Sequence, residues 1–312
     1  MQTAPCRWHG LPAVQLTGGG YTAVVLPEFG ANCISLRHDA SGAQLLRESP
    51  NADVLRANPN VYGLPLLFPP NRIRDGQFTF EGQCYQLPIN EPARHHHIHG
   101  TLSVTPFTEE GSGVFRAVCP TGSYLGLPFA FTAERRYVLD AQGLHLTLTF
   151  RNDGTQAMPM GTGLHAALTL PQLPGDLAAA YRLQIPVRRQ WCFDPVTIMP
   201  TLATCEDSPL LTALRDGTLV CEGQALSILL ECAPGDIVLS GPHSETVCRY
   251  DAAFPFVMLW NDGGTQGFVC PEPQSWLVDA PNLPLPPAVS GMRSLAPGAS
   301  AAYQVEYSYH EK

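Results

Sequence analysis

The sequence predicts an all-β protein, a large antiparallel sandwich with few and short helices. Three observations carry that prediction. Apolar and polar residues alternate with a period of two in several separate stretches, as half-buried strands require. The chain holds 28 glycines and 30 prolines, spread so that one or the other interrupts every ten to fifteen residues and stops long helices. Helical periodicity is nearly absent. Many short strands with Gly/Pro-rich turns are what a sandwich needs.

Taken in order, the run Gly18–Gly20 before Tyr21 reads as a hairpin turn, and Tyr21 to Leu26 is an apolar run of strand length. Phe78 and Phe80 alternate before Glu81-Gly82, and extended character resumes at Cys84 to Leu87, so a tight hairpin is expected there. Leu144, Leu146, Leu148 and Phe150 alternate with His145, Thr147 and Thr149, and Arg-Asn-Asp-Gly (151–154) is expected to turn the chain. Ser208 to Arg215 reads as a short helix started by Ser208 and Pro209 and stopped by Gly217. Ala225 to Leu230 is another strand-length run, and Tyr303, Val305, Tyr307 and Tyr309 alternate again. No low-complexity linker or fixed repeat divides the chain. One domain over residues 1–312 is therefore expected.

The composition excludes several function classes. The net charge is −9, from 18 basic and 27 acidic residues, which argues against nucleic acid or an anionic membrane surface as partner. The only lysine is Lys312; the other basic residues are arginines. Schiff-base aldolases, pyridoxal phosphate enzymes and P-loop hydrolases all need a lysine in the site. No Gly-x-Gly-x-x-Gly stretch opens a helix. The ten cysteines contain no Cys-x-x-Cys pair, so no structural zinc site is expected. The opening Met-Gln-Thr-Ala-Pro-Cys has no apolar leader region, and no apolar run has the length of a membrane span. A soluble cytoplasmic protein with reduced, mostly buried thiols is the expectation.

Three segments carry groups able to do chemistry. The first, Phe68 to Gly100, contains Pro-Pro-Asn-Arg-Ile-Arg-Asp-Gly (69–76), Pro-Ile-Asn (88–90) and His-His-His-Ile-His-Gly (95–100). Asn71, Arg72, Arg74, Asn90 and His99 thus flank a hairpin that must bury its aromatics, and a polar ligand is one way to partner them. His97 and His99 have His-x-His spacing, but no carboxylate follows within a few residues, so no metal is expected. His95 and His96 are expected at the rim. The second segment is Thr-Gly-Leu-His-Ala-Ala-Leu (162–168), in which His165 is either a core histidine bonded to backbone or a general acid. The third is Pro-Glu-Pro-Gln-Ser-Trp (271–276). A carboxylate between two prolines makes a well-fixed base, and Glu272 is exposed in a turn, paired, or held for chemistry.

Together these segments resemble the aldose 1-epimerase (galactose mutarotase) family in order and spacing. The resemblance runs through Val25-Leu26-Pro27 with Gly30-Ala31, Asn71-Arg72-Ile73, Asn90, His99-Gly100, His165, Met199-Pro200-Thr201, Glu272-Pro273-Gln274 and Leu295-Ala296-Pro297-Gly298. It implies a large antiparallel β-supersandwich that interconverts α and β sugar anomers without metal or organic cofactor. By match to the family motifs, Glu272 would be the general base at the anomeric hydroxyl and His165 the acid at the ring oxygen. His99, Arg72 and Asn71 would bind the sugar, and Asp216, in Leu-Arg-Asp-Gly-Thr-Leu (214–219), is a loose match to the family's sugar-binding Asp. Arg72, His99, His165 and Glu272 should therefore converge on one cleft, base and acid on opposite sides. Activity should fall at low pH as Glu272 protonates and at high pH as His165 deprotonates.

Two departures bear on specificity. His165 is followed by Ala166, Ala167 and Leu168 where the family has Pro and two aromatics, and His99-Gly100 by Thr101 where a second Gly is common. Trp260, Trp276 and Phe68 are the candidates for an aromatic face against the sugar. Two other readings stay open. A hexose-6-phosphate 1-epimerase would use Arg72, Arg74 and Arg94 on a phosphate, and a non-catalytic sugar-binding or regulatory module would have no turnover. A monomer or a homodimer would suit the charge.

Overall fold

The computed structural model describes residues 1–312. Every strand pair within its sheets is antiparallel. Only three short α-helices occur, Ala52–Ala57, Pro209–Arg215 and Pro287–Ser290. A five-stranded meander opens the chain, Gln2–Trp8, Leu11–Gly18, Tyr21–Leu26, Asn32–His38 and Ala43–Gln44, in sequence order. Its second turn is built by Gly19 (φ +61°) and Gly20 (φ +88°), both in the left-handed region that a two-residue hairpin turn demands. Gly19 also lies against another hairpin: a Cβ there would sit 1.8 Å from the Asp140 carbonyl carbon.

The largest sheet has the spatial order Thr108–Gly111, Val114–Cys119, Phe131–Asp140, Gly143–Asn152, Ser300–Glu311, Ser244–Tyr250, Asp236–Ser240 and Arg182–Gln184. The alternation read from the sequence sets its faces. Leu144, Leu146, Leu148 and Phe150 are buried, as are Tyr303, Val305, Tyr307 and Tyr309 on the neighbouring strand, and Leu146 pairs with both Tyr137 and Val305. Arg151 and Asn152 continue the strand, so the turn starts later than Arg-Asn-Asp-Gly suggested. The ladder carries through Asn152 because its N–H donates to Ala299 O and its carbonyl accepts from Gly298 N–H; its side chain bonds Leu295 O and Gln156 O through the amide and accepts from Gly154 N–H inside the turn that follows. The second large sheet runs Pro200–Cys205, Val187–Phe193, Ser227–Cys232, Phe256–Trp260, Phe268–Gln274, Gly163–Leu164 and Leu66–Leu67, with Leu168–Thr169 also paired to Phe268–Gln274.

One continuous core of 71 buried residues joins these sheets, from Val14 to Tyr309. The Phe78 hairpin forms as Gln77–Phe80 and Gln83–Gln86, with Glu81 and Gly82 both at positive φ and both phenylalanines buried. The helix Pro209–Arg215 starts at Ser208, whose hydroxyl caps the Leu211 N–H, and ends at Gly217. All ten cysteines are free, five of them buried and Cys84 exposed. No helix is long and apolar enough to cross a membrane.

Candidate active site

A polar cleft of about 370 Å³ opens over the second large sheet. Its position follows from a local irregularity. Strand Phe268–Gln274 is buried along its whole length, and Glu272 pairs across it with Met258. On its other side the neighbouring chain leaves the ladder between Gly163–Leu164 and Leu168–Thr169. The residues in that gap, including His165, bond instead to the 63–67 segment: His165 N–H donates to Pro65 O and Ala167 N–H to Gly63 O. Pro271 and Pro273 stand opposite the gap and have no N–H to lose, which is how a central strand tolerates two prolines.

His165 and Glu272 thus face each other across adjacent strands, with Nε2 3.2 Å from Oε1. They are neighbours, not partners on opposite sides of a ring as the sequence reading had placed them. The turn in which Glu272 might have been exposed does not exist; the residue is 1% exposed inside the strand. Gln274, two residues on and on the same face, donates its amide to Glu272 Oε2 at 3.2 Å and accepts at Oε1 from Asn71. Burial pushes the Glu272 carboxyl well above the ordinary range, against the pull of the Gln274 hydrogen bond and the Arg72 charge. Burial likewise pushes His165 down to about 3, with the Arg47 charge adding to the shift. The pair therefore resists charge on either member.

Asn71, Arg72 and His99 reach the cleft from the ends of a short ribbon in which Arg72–Arg74 pairs with His96–Ile98. Asn71 (φ +57°) and His99 (φ +64°) turn the chain at those ends, and His99 N–H donates to Asn71 O. Arg72 is held by a residue the sequence reading missed. Glu91 takes its guanidinium in two bonds of 2.8 Å and accepts a third from Arg94 at 2.9 Å. Burial would raise the Glu91 carboxyl, but the two arginines outweigh it and hold it low. His99 stands edge-on to His165, ring centroids 5.5 Å apart, and burial, then repulsion from His165 and Arg72, hold it well below the ordinary imidazole range. Trp260 also stands edge-on to His165, ring centroids 5.5 Å apart, and lines the cleft with Asn60, Ile198 and Met258. Phe68 and Trp276 line a separate apolar void of about 30 Å³ in the core.

Other expected positions lie elsewhere. Asp216 is not in the cleft; it is the exposed C-cap of helix Pro209–Arg215. The Arg-Asp-Gly that suggested a sugar ligand is a helix stop, with Gly217 at φ +66°. Arg74 points away from the cleft, half exposed, towards Asp279. His96 is not at the rim. It is buried, its Nε2 bonded to Thr197 O at 3.1 Å and its Nδ1 facing the Asp75 N–H. His97 is buried too and bonds Pro88 O, while His95 is exposed beside Asp75.

The family model for aldose 1-epimerase matches residues 12–308. The chain belongs to the aldose 1-epimerase family. Among solved structures, a galactose mutarotase-like protein from Clostridium acetobutylicum superposes with a TM-score of 0.93, at 24% identity, over 100% of this chain and 99% of that one. A galactose 1-epimerase from Lactobacillus acidophilus follows with a TM-score of 0.74, at 18% identity, over 99% of each. These likenesses establish the galactose mutarotase-like β-sandwich fold. Among curated proteins, the uncharacterized protein YihR of Escherichia coli K12 is 33% identical over 131 residues, a match that spans 40% of this chain and 41% of the relative.

Proposed function

We propose that this protein interconverts the α and β anomers of an aldose, with Glu272 and His165 exchanging protons with the anomeric hydroxyl and the ring oxygen. The observation that carries the reading is the buried contact between the two groups on the floor of a polar cleft. Both sugar atoms are bonded to the same carbon. Two protein groups in direct contact can therefore reach both at once.

Ring opening needs a proton removed from the C1 hydroxyl and one delivered to the ring oxygen. In the charge-separated arrangement of the pair's single proton, the one burial disfavours, Glu272 as carboxylate takes the first and His165 as imidazolium gives the second. The ring C–O bond breaks and the C1 carbonyl forms. The site then holds a neutral carboxylic acid and a neutral imidazole, the arrangement its burial favours. Rotation about C1–C2 presents the other carbonyl face. On closure His165 takes the proton back from the hydroxyl at the former ring oxygen, and Glu272 returns one to O1. No proton has to enter or leave the site.

His99 and Arg72 supply donors to the sugar hydroxyls, and Glu91 holds Arg72 in place. Asn71 reaches Glu272 through Gln274, so it positions the base as well as facing the ligand. Trp260 is the aromatic that lines the cleft. Of the three arginines a phosphate reading would use, Arg72 and Arg94 line the cleft, but Glu91 accepts bonds from both. Glu91 thus offsets one of the two positive charges and occupies donors of both arginines, which supports neutral aldoses over hexose 6-phosphates. Polarimetry on freshly dissolved α-glucose and α-galactose tests the proposal. Acceleration of the drift to equilibrium is expected; tight sugar binding without acceleration would leave a sugar-binding module as the better account.

A further inference from the structure

Cys270 plays no part in the proton transfers, yet it belongs to the same constellation. It lies two residues from Glu272 and so on the same face of strand Phe268–Gln274. One ligand atom from each of His165, Cys270 and Glu272 lies within 4.8 Å of the other two. All three side chains are buried, and His165 Nδ1 has no hydrogen-bond partner. We propose that these three residues form a capture site for a thiophilic divalent cation of the zinc class, and that a cation seated there blocks the cleft.

The donor set decides the class of ion. One imidazole, one thiolate and one carboxylate are zinc ligands, whereas magnesium and calcium want oxygen donors only. Zinc bonds of roughly 2.0–2.3 Å place tetrahedral ligand atoms about 3.3–3.8 Å apart, within a modest contraction of the present spacing. Charge favours the assembly as well. A dication with one thiolate, one carboxylate and a neutral imidazole sums to zero, and the nearby Arg47 guanidinium is offset by the Asp262 carboxylate. Each cation bound displaces two protons, one from the Cys270 thiol and one from the Glu272 carboxylic acid. His165 and Glu272 line the cleft, so the fourth coordination position opens onto it.

The inhibitory half of this inference rests on the proposed function; the binding half does not. The test is titration of the full-length chain with cobalt(II), followed by absorption. A thiolate-to-cobalt charge-transfer band and intense tetrahedral visible bands at one equivalent are expected, with zinc displacing the cobalt. Both signals should vanish in Cys270→Ser and Cys270→Ala and persist in Cys84→Ser, which removes the exposed thiol. Zinc should also abolish mutarotation by the wild type, with chelator restoring it, while Cys270→Ser turns over sugar normally and resists zinc. No cobalt–thiolate band, or the same band in both Cys270 variants, overturns the site. A band that depends on Cys270 in a protein without mutarotation supports the site and defeats the functional reading instead.

Discussion

Glu272 and His165 share one dissociable proton, which makes them one titrating unit. Adding a second proton creates a buried cation, and removing the first creates a buried anion. Burial opposes both, as the downward displacement of His165 and the upward displacement of Glu272 record. The active, singly protonated pair should therefore persist over a wide range. We expect kcat/KM to stay flat below the ordinary imidazole value of 6.5 and to fall only as pH approaches the displaced His165 value of about 3. An acid limb between pH 6 and 7 would defeat this, within the limits set by acid unfolding, which circular dichroism monitors. The sequence reading assigned the acid limb to the carboxylate and the basic limb to the histidine. It could name the residues from their motifs but not their contact, because burial depends on strands some hundred positions apart. Glu272→Gln keeps the shape and can still bond Gln274, so sugar binding should survive while turnover drops by at least about 100-fold. Glu91 shows the opposite limit. Nothing in Asn-Glu-Pro-Ala-Arg announces a clamp on Arg72, since the pairing is made by the fold and not by spacing.

At the level of elements, period-two alternation and turn chemistry were legible to within about two residues, as with the run Ala225 to Leu230, which forms its strand at Ser227–Cys232. Tyr21–Leu26 and the Phe78 hairpin fall where their patterns place them, because both are decided by neighbours in sequence. The exceptions have tertiary causes: the strand reaches Asn152 through backbone bonds with Gly298 and Ala299, and His96 is bonded inward to Thr197 O. The helix Ala52–Ala57 had no periodic signal, being barely longer than a turn and set by its Asn51 cap. The turn Gly19-Gly20 offers a comparison within one element. Alanine at Gly20 meets open space and pays only the left-handed backbone cost, about 1–2 kcal/mol. Alanine at Gly19 pays the same and also collides with the Asp140 backbone. Urea denaturation should rank Gly19→Ala below Gly20→Ala in stability, and equal losses would mean that the two hairpins do not touch as described.

For the molecule as a whole, the core that runs from Val14 to Tyr309 predicts one cooperative unfolding transition. Far-ultraviolet dichroism and tryptophan fluorescence should report the same urea midpoint; two separated midpoints would divide the chain. Removing residues 300–311 should be far more damaging than an average terminal deletion. That strand is central in its sheet, flanked by Gly143–Asn152 and Ser244–Tyr250, and it buries Tyr303, Val305, Tyr307 and Tyr309. Loss of soluble protein is expected, and a folded truncated chain would show that the two halves of the sheet stand alone.

The same strand has a consequence for biosynthesis. A ribosome delivers residues in order, so both flanking strands are complete well before the one that joins them. Until residues 300–311 emerge, each half of the sheet presents an open edge with unpaired N–H and C=O groups beside exposed aromatics. The nascent chain thus waits with two sticky margins, and the interval between the synthesis of Tyr250 and that of Tyr309 is when misassembly with a neighbouring chain is most probable. Slower translation over that interval lengthens the exposure, and a chaperone that covers strand edges has its use there.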